Sequence, residues 1–203
     1  LINIHVPILK MRKKTESMKK ILSSMVAVVA MTLSTNAQLF DEEAKFFHVG
    51  IGVGSPYAYS GSDVSIPPVH ASAEFAVSEK IGVGGLIGYT ASKWEQTYAS
   101  TSGSTSYSWK FSYIIVGARG AYHFIDSDKA DVYGGVMLGY NIASATFESN
   151  DADLEQFVTE PSVGGVAFGG FVGARYMFTE KLGGFAELGY NISWLSVGLA
   201  VKL

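Results

Sequence analysis

The chain contains no cysteine, so disulfides, thiolate nucleophiles and thiolate metal sites are excluded at once. Charge is scarce as well, with only 16% of residues Asp, Glu, Lys or Arg. The four histidines stand singly, without the HExxH pairing that a catalytic metal site of that kind needs. No GK[ST] follows the glycine clusters Gly50-Ile51-Gly52-Val53-Gly54 and Gly164-Gly165, which removes a phosphate loop. In the body of the chain no apolar run approaches the ~20 residues of a helical membrane span. Any membrane crossing must then be made by strands.

What is abundant points the same way. The 203 residues suit one domain and hold 23 Gly, 12 Phe and 11 Tyr, a composition foreign to helical globules and familiar where strands bend and cross closely. Residues 173–203 show the organising pattern: three short alternating segments joined by Thr179-Glu180-Lys181 and Asn191-Ile192-Ser193. In the last, Leu195, Val197, Leu199, Val201 and Leu203 share one face, while Ser196, Gly198, Ala200 and Lys202 share the other. Large apolar residues opposite small or polar ones fit a barrel that faces lipid outside and a narrow, partly polar lumen inside. The hairpin is repeated: Gly117-Ala118-Arg119 and Leu138-Gly139-Tyr140-Asn141-Ile142 reappear as Gly173-Ala174-Arg175 and Leu188-Gly189-Tyr190-Asn191-Ile192. Repeated hairpins build up-and-down barrels.

Near the start, Met18-Lys19-Lys20, the apolar run 21–33 and Thr35-Asn36-Ala37 have the basic, apolar and small-x-small regions of a secretory leader, with cleavage expected after Ala37. The expected organisation is therefore upstream sequence at 1–17, a signal peptide at 18–37 and a barrel domain at 38–203. Residues 1–37 carry six of the 15 Lys and Arg and one of the 18 Asp and Glu, so 9 against 17 remain, a formal charge of −8. Such a balance argues against nucleic acid as a partner.

The fold expected is all-β, an eight-stranded antiparallel up-and-down transmembrane β-barrel, with strands near 45–54, 68–77, 81–91, 109–124, 131–147, 164–178, 183–192 and 194–203. Long polar connections at 55–67, 92–108 and 148–163 alternate with short ones, as extracellular loops alternate with periplasmic turns. Tyr122, Phe124, Tyr176 and Phe178 flank short turns as a lower aromatic girdle. Trp94, Tyr98, Tyr107, Trp109 and Trp194 flank the loops as an upper one.

On these hairpins and on the terminal Trp194-Leu195-Ser196-Val197-Gly198-Leu199-Ala200-Val201-Lys202-Leu203, the chain resembles the small outer-membrane β-barrel family, the eight-stranded OmpA/OmpX-type barrels of Gram-negative bacteria. The resemblance covers about 46–203. It implies an outer-membrane location, a final strand (with Gly198, Leu199 and Leu203) read by the barrel assembly machinery, contact with outer-membrane lipid, and a monomer. Family members mostly end on an aromatic; here Leu203 stands in that place.

If the lower girdle faces lipid, alternation turns Arg119, His123 and Arg175 inward; keeping Leu188, Tyr190 and Phe75 outside turns Glu187 and Glu74 inward. Buried ions must be paired, so Glu74, Arg119, Arg175 and Glu187 are expected to form a structural charge network, with His48, His70, His123 and Lys202 as further partners. A filled lumen denies substrate to any carboxylate pair. His70, near Ser65 and Ser72, is the one faint candidate for catalysis, and a lumen histidine is the plainer reading. The acidic stretch 149–155 lacks the glycine turn and closing glutamate of a calcium loop and reads as solvated. The Ser/Thr-rich stretch 98–108 reads as a mobile loop. No catalytic, metal or cofactor site is expected. The function expected is a non-enzymatic anchor that displays three long loops to an extracellular ligand. The alternatives are a narrow pore for ions or small solutes, a lipid-modifying barrel enzyme, and a soluble lipocalin-like carrier.

Overall fold

The computed structural model describes residues 38–57, 61–100, 103–150 and 162–203. The leader at 18–37, the residues before it, and most of the acidic stretch (151–155) lie outside the described residues. Eight strands follow in chain order: β1 Lys45–Val53, β2 Asp63–Ser78, β3 Ile81–Ser100, β4 Gly103–Asp126, β5 Ala130–Ser149, β6 Ser162–Met177, β7 Leu182–Tyr190 and β8 Leu195–Lys202. Each pairs antiparallel with the next, and β8 returns to β1 from Phe46↔Lys202 to Val53↔Leu195, so the sheet closes into a barrel.

Period-two alternation sets the two faces of the wall. β1 alternates exposed and buried from Lys45 to Val53. The exposed set is apolar: Val49 and Ile51 on β1, Ile114 and Val116 on β4, Leu188 on β7 and Leu199 on β8. Val166 and Phe168 are 71% and 69% exposed. A water-soluble sheet would bury these side chains, and a belt this extensive requires a hydrocarbon surround.

Tight turns use local side-chain acceptors. Thr179 Oγ1 accepts from the N–H groups of Lys181 and Leu182 at 3.3 and 2.9 Å, and Ser127 Oγ from that of Ala130 at 3.2 Å. On the outer wall the repeated hairpin has a steric meaning. A side chain at Gly134 would meet the Phe124 ring at 3.0 Å, and one at Gly184 the Phe178 ring at 3.1 Å, so in each copy an aromatic lies over a glycine of the neighbouring strand.

Two features depart from the sequence expectation. The loop expected at 92–108 is a ladder: pairing continues from Lys93↔Lys110 through Trp94↔Trp109, Thr97↔Ser106 and Tyr98↔Thr105 to Ser100↔Gly103. Its Ser and Thr content suggested a loop, but Thr, Tyr and Trp alternate there and pair across strands, which favours a sheet. β2 likewise begins at Asp63 rather than near 68, because it passes Pro67 and Pro68 through register shifts between Ile66 and Val69. Proline cannot donate to a ladder, and a bulge accommodates it.

The lumen is a packed core. Leu39, Phe40, Ala44, Phe46 and Met177 fill the end nearest the short turns. Ala121, Tyr133 and Phe171 form another cluster, and Leu86, Ile115, Met137, Ala167 and Ile192 another, with Tyr57 and Tyr113 against it. The small inward residues of β8 are therefore not typical of the whole wall: they face large residues elsewhere. A Cβ at Gly135 would collide with the Gly120 carbonyl oxygen and lie 2.7 Å from Phe171 Cζ, whereas one at Gly165 would meet nothing within 4 Å. Gly135→Ala is therefore expected to cost about 1–3 kcal/mol, the range for overpacking, and Gly165→Ala almost nothing. Urea-unfolding midpoints of the refolded protein in detergent check this, and equal midpoints for the two variants would refute the packing argument.

Candidate functional site

Charged side chains gather in the turn-side half of the lumen, where inward positions on neighbouring strands come together. Register puts Asp131 directly opposite Arg175. Arg175 Nη2 donates to Asp131 Oδ2, and its Nη1 lies 3.1 Å from both Glu74 Oε2 and His48 Nε2. The guanidinium also lies over the Phe46 ring, 3.5 Å from its centroid. His123 bridges the two acids, with Nδ1 2.9 and 3.0 Å from the Asp131 oxygens and Nε2 3.3 Å from Glu74 Oε1.

A second group sits beside the first. Arg119 Nη2 donates to Glu187 Oε1 at 2.7 Å, and the Tyr133 hydroxyl donates to the same oxygen at 2.9 Å. The Arg119 guanidinium lies 3.9 Å from the Phe171 centroid. Ser72 links the groups, with Oγ 3.4 Å from both Arg119 Nη1 and His48 Nδ1.

The hydrogen-bond partners assign the proton positions. Arg175 can only donate, so His48 accepts at Nε2 and carries its proton on Nδ1, toward Ser72. Both His123 ring nitrogens face carboxylate oxygens, so both donate. Glu74, Asp131 and Glu187 are then matched in charge by Arg119, Arg175 and His123. Such matching is what a low-dielectric interior demands, since an unpaired ion there costs several kcal/mol. The space left among His48, Ser72, Glu74, Arg119, Tyr133 and Glu187 is about 10 Å³, room for about one water molecule.

Of the charges expected at the lumen, Glu74, Arg119, Arg175 and Glu187 lie inside, paired as Arg175–Glu74 and Arg119–Glu187. Lys202 does not join them: its Nζ donates to the Leu39 carbonyl at 2.8 Å and faces Asp41 at 3.4 Å. His70 is buried, with no hydrogen-bond partner among the described residues, and Ser72 is engaged by His48 and Arg119 instead. The His–Ser pairing that catalysis would need is not formed. Asp131 and Tyr133 were missed, although Val132, Val136 and Leu138 on the outer face mark them as inward by parity.

Tyr122, Phe124, Tyr176 and Phe178 are exposed on the outer wall, with ring centroids 5.4 Å apart in the first pair and 6.1 Å in the second. Trp194 is also exposed and packs edge-on against Tyr190 at 5.3 Å. Trp94 and Trp109 take the opposite parity, that of buried Ile115, and so are not part of an outward girdle. With Tyr107 and Phe147 they form an aromatic cluster on the inner face of the ladder, Trp109 and Phe147 being 5.1 Å apart. The Tyr98 side chain lies outside the described part. On the opposite face Lys93 pairs with Glu95 and Lys110 with Glu148. The hydrogen bond from Lys110 holds the Glu148 carboxyl below its ordinary range. Gly198 and Leu199 lie within β8, where Leu199 faces outward, and Leu203 N donates to Lys45 O at 2.9 Å.

No protein-family model matches the chain, and no curated protein sequence does. Among solved structures it is similar to the outer membrane protein OprG from Pseudomonas aeruginosa (12% identity, 82% of this chain and 99% of that one, TM-score 0.49). It is also similar to the N-terminal β-barrel domain of Pseudomonas aeruginosa OprF (11%, 80% and 98%, 0.48) and to Neisserial surface protein A (17%, 79% and 94%, 0.48). The deciding observation is the protein's own: a closed eight-strand ladder with its apolar face outward. The fold is a closed eight-stranded transmembrane β-barrel.

In that barrel Glu187 is 3% exposed and Arg119 10%, whereas Lys110 and Glu148 are each 48% exposed. Removing one partner of a buried pair strands the other, so Glu187→Gln is expected to cost about 3 kcal/mol. Lys110→Met, in the solvated pair, should leave the midpoint at the parent's value. Urea midpoints in detergent report both, and a Glu187→Gln midpoint equal to the parent's would show that the pair does not hold the lumen together.

Proposed function

We propose that this protein is a sealed outer-membrane anchor, carrying out no catalytic step, whose work is done by the sheet and loops raised outside the cell. The observation that carries the reading is the contrast between a packed lumen and overlong strands. A tilted strand needs about 9–11 residues to span a bilayer. β1, β7 and β8 have 9, 9 and 8, whereas β3, β4 and β5 have 20, 24 and 20. The surplus lies away from the short turns and forms a three-stranded projection about 30 Å long.

Its two faces suit different contacts. The inner face carries the aromatic cluster around Trp94 and Trp109. The outer face carries Lys93, Glu95, Thr97, Ser106, Ser108 and Glu148 around an open groove of about 390 Å³. Paired charges and hydroxyls of this kind favour polar, hydroxyl-rich ligands over apolar ones. In this reading the short turns face the periplasm, the assembly machinery reads β8, and the barrel works as a monomer.

Three acids paired with three cations, with space for about one water among them, oppose passage of a hydrated ion through that level of the lumen. The protein refolded from residues 38–203 should therefore show no stepwise conductance in a planar bilayer. Regular, reproducible steps would reverse the reading in favour of a narrow pore. A variant with residues 96–107 replaced by a short turn should keep its heat-dependent gel mobility. Cells carrying it should lose adhesion to immobilised extracellular glycans that cells with the intact projection bind.

A further inference from the structure

The segment ahead of β1 crosses the turn-side mouth of the barrel. Its backbone is gripped at one end by the β4–β5 turn: Leu39 N donates to Asp126 Oδ1 at 2.9 Å and to Ser127 O at 3.1 Å. Phe40 N donates to both Asp126 oxygens at 3.1 Å. From the other side, Lys202 of β8 donates to the Leu39 carbonyl at 2.8 Å and faces the Asp41 carboxylate at 3.4 Å. Ala44 N closes a turn on Asp41 O at 3.0 Å, and Ala44 O accepts from Ala76 N of β2 at 2.9 Å. In a ring ordered β1 to β8, the β4–β5 turn lies opposite the β8–β1 junction. The segment therefore spans the diameter.

Its apolar side chains are buried, while Glu42 and Glu43 stay exposed. Leu39 and Phe40 are 4% and 0% exposed. The Phe40 ring stacks on His123 with centroids 3.5 Å apart and planes 13° from parallel, so it lies directly against the charge network. Met177 of β6 completes the apolar cluster with Leu39, Phe40 and Phe46. This strap also meets the thinnest part of the wall, where β7, β8 and β1 are each less than half the length of β4.

We infer that residues 39–44 are a closure strap that docks after β8 has met β1, seals the turn-side mouth and pins the closing seam to the opposite wall. The order follows from geometry: Asp126 and Lys202 stand at the right separation only on a closed ring, so the strap has no complete docking site before closure. Once docked, it must be released at one end before the seam can part. The strap thus slows opening without being needed for insertion. This inference is separate from the sealed-anchor reading, since it concerns the order of assembly and the lifetime of the closed ring.

The test uses the mature chain, residues 38–203, in which Met177→Cys supplies the sole thiol. Met177 is 2% exposed, packed against the strap. Two rates are read on protein folded in detergent: reaction of that thiol with a bulky, hydrophilic maleimide, and loss of the compact gel form at elevated temperature. Asp126→Ala combined with Lys202→Met removes the side-chain anchors from both walls, and Phe40→Ala removes the stopper while leaving the anchors. Glu79→Gln, on an exposed turn, is the control. Because hydrogen bonds to charged groups are the stronger kind, loss of both anchors should raise the labelling and unfolding rates about tenfold or more. Phe40→Ala should raise labelling, the control should match the parent, and the rate of folding into the compact form should be unchanged in all. Labelling and unfolding at the parent's rates in the anchor variant would overturn the inference. So would failure of that variant to reach the compact form, because the strap would then be needed before closure rather than after it.

Discussion

In hydrocarbon a peptide group has no water to turn to, and every N–H and C=O must find its partner within the sheet. That requirement forces β8 onto β1, and the rest of the protein's physics descends from the small ring that results. Eight strands leave a bore that side chains fill. Inward positions next to the wall must therefore be nearly empty, and Gly135, whose missing Cβ would strike a neighbouring strand, shows how closely the backbones approach. The same narrowness lets six strands bring charged or hydrogen-bonding groups into one network: His48 on β1, Glu74 on β2, Arg119 and His123 on β4, Asp131 and Tyr133 on β5, Arg175 on β6 and Glu187 on β7.

Once those groups are confined, their energetics are set by desolvation rather than by attraction alone. Each ion must be compensated inside the barrel, and the structure does so with direct pairing and with aromatic faces. Phe46 covers Arg175, Phe171 covers Arg119, and Phe40 covers His123. An aromatic face offers its negative quadrupole to a cation while excluding water, which suits a site that is charged and dry. Apolar and polar lumen residues are thus one system, and the strap belongs to it through Phe40. A network of this kind gives little net stability over an apolar core, but it penalises any register in which one partner is displaced.

The parts of this arrangement that follow from strict alternation could be read from the sequence. Leu195 to Leu203 alternate without interruption, so β8 and its faces were visible, and parity carried Glu74, Arg119, Arg175 and Glu187 inward. Partner choice was not visible, because it depends on stagger between strands far apart in the chain, such as β4 and β7. Asp131 went unread because it sits next to a turn, where an acid looks solvated. The 92–108 ladder was hidden by its serines, which lower apolar contrast without preventing pairing, and Trp94 and Trp109 were misassigned with it. The strap gave no signal at all: Gln38-Leu39-Phe40-Asp41 has no period, and its burial comes from Asp126 and Lys202, which no local pattern connects.

Uneven strand length has a consequence for where the barrel is strong. Ladder hydrogen bonds accumulate along β3, β4 and β5, so that side of the wall is stiff enough to hold a projection clear of the membrane. The opposite side is cut to the length a bilayer requires, and there the sheet has no surplus pairing to resist fraying. Bonds beyond the sheet reinforce that side too: Leu203 N to Lys45 O across the closing junction, Trp194 N to Gly54 O at the far end, and Lys202 to the strap. Lengthening the short strands would stiffen the seam equally well, but it would also raise a complete tube around the projection and enclose its aromatic inner face. A wall long on one side and bonded at the rims on the other keeps that face approachable while the ring stays shut.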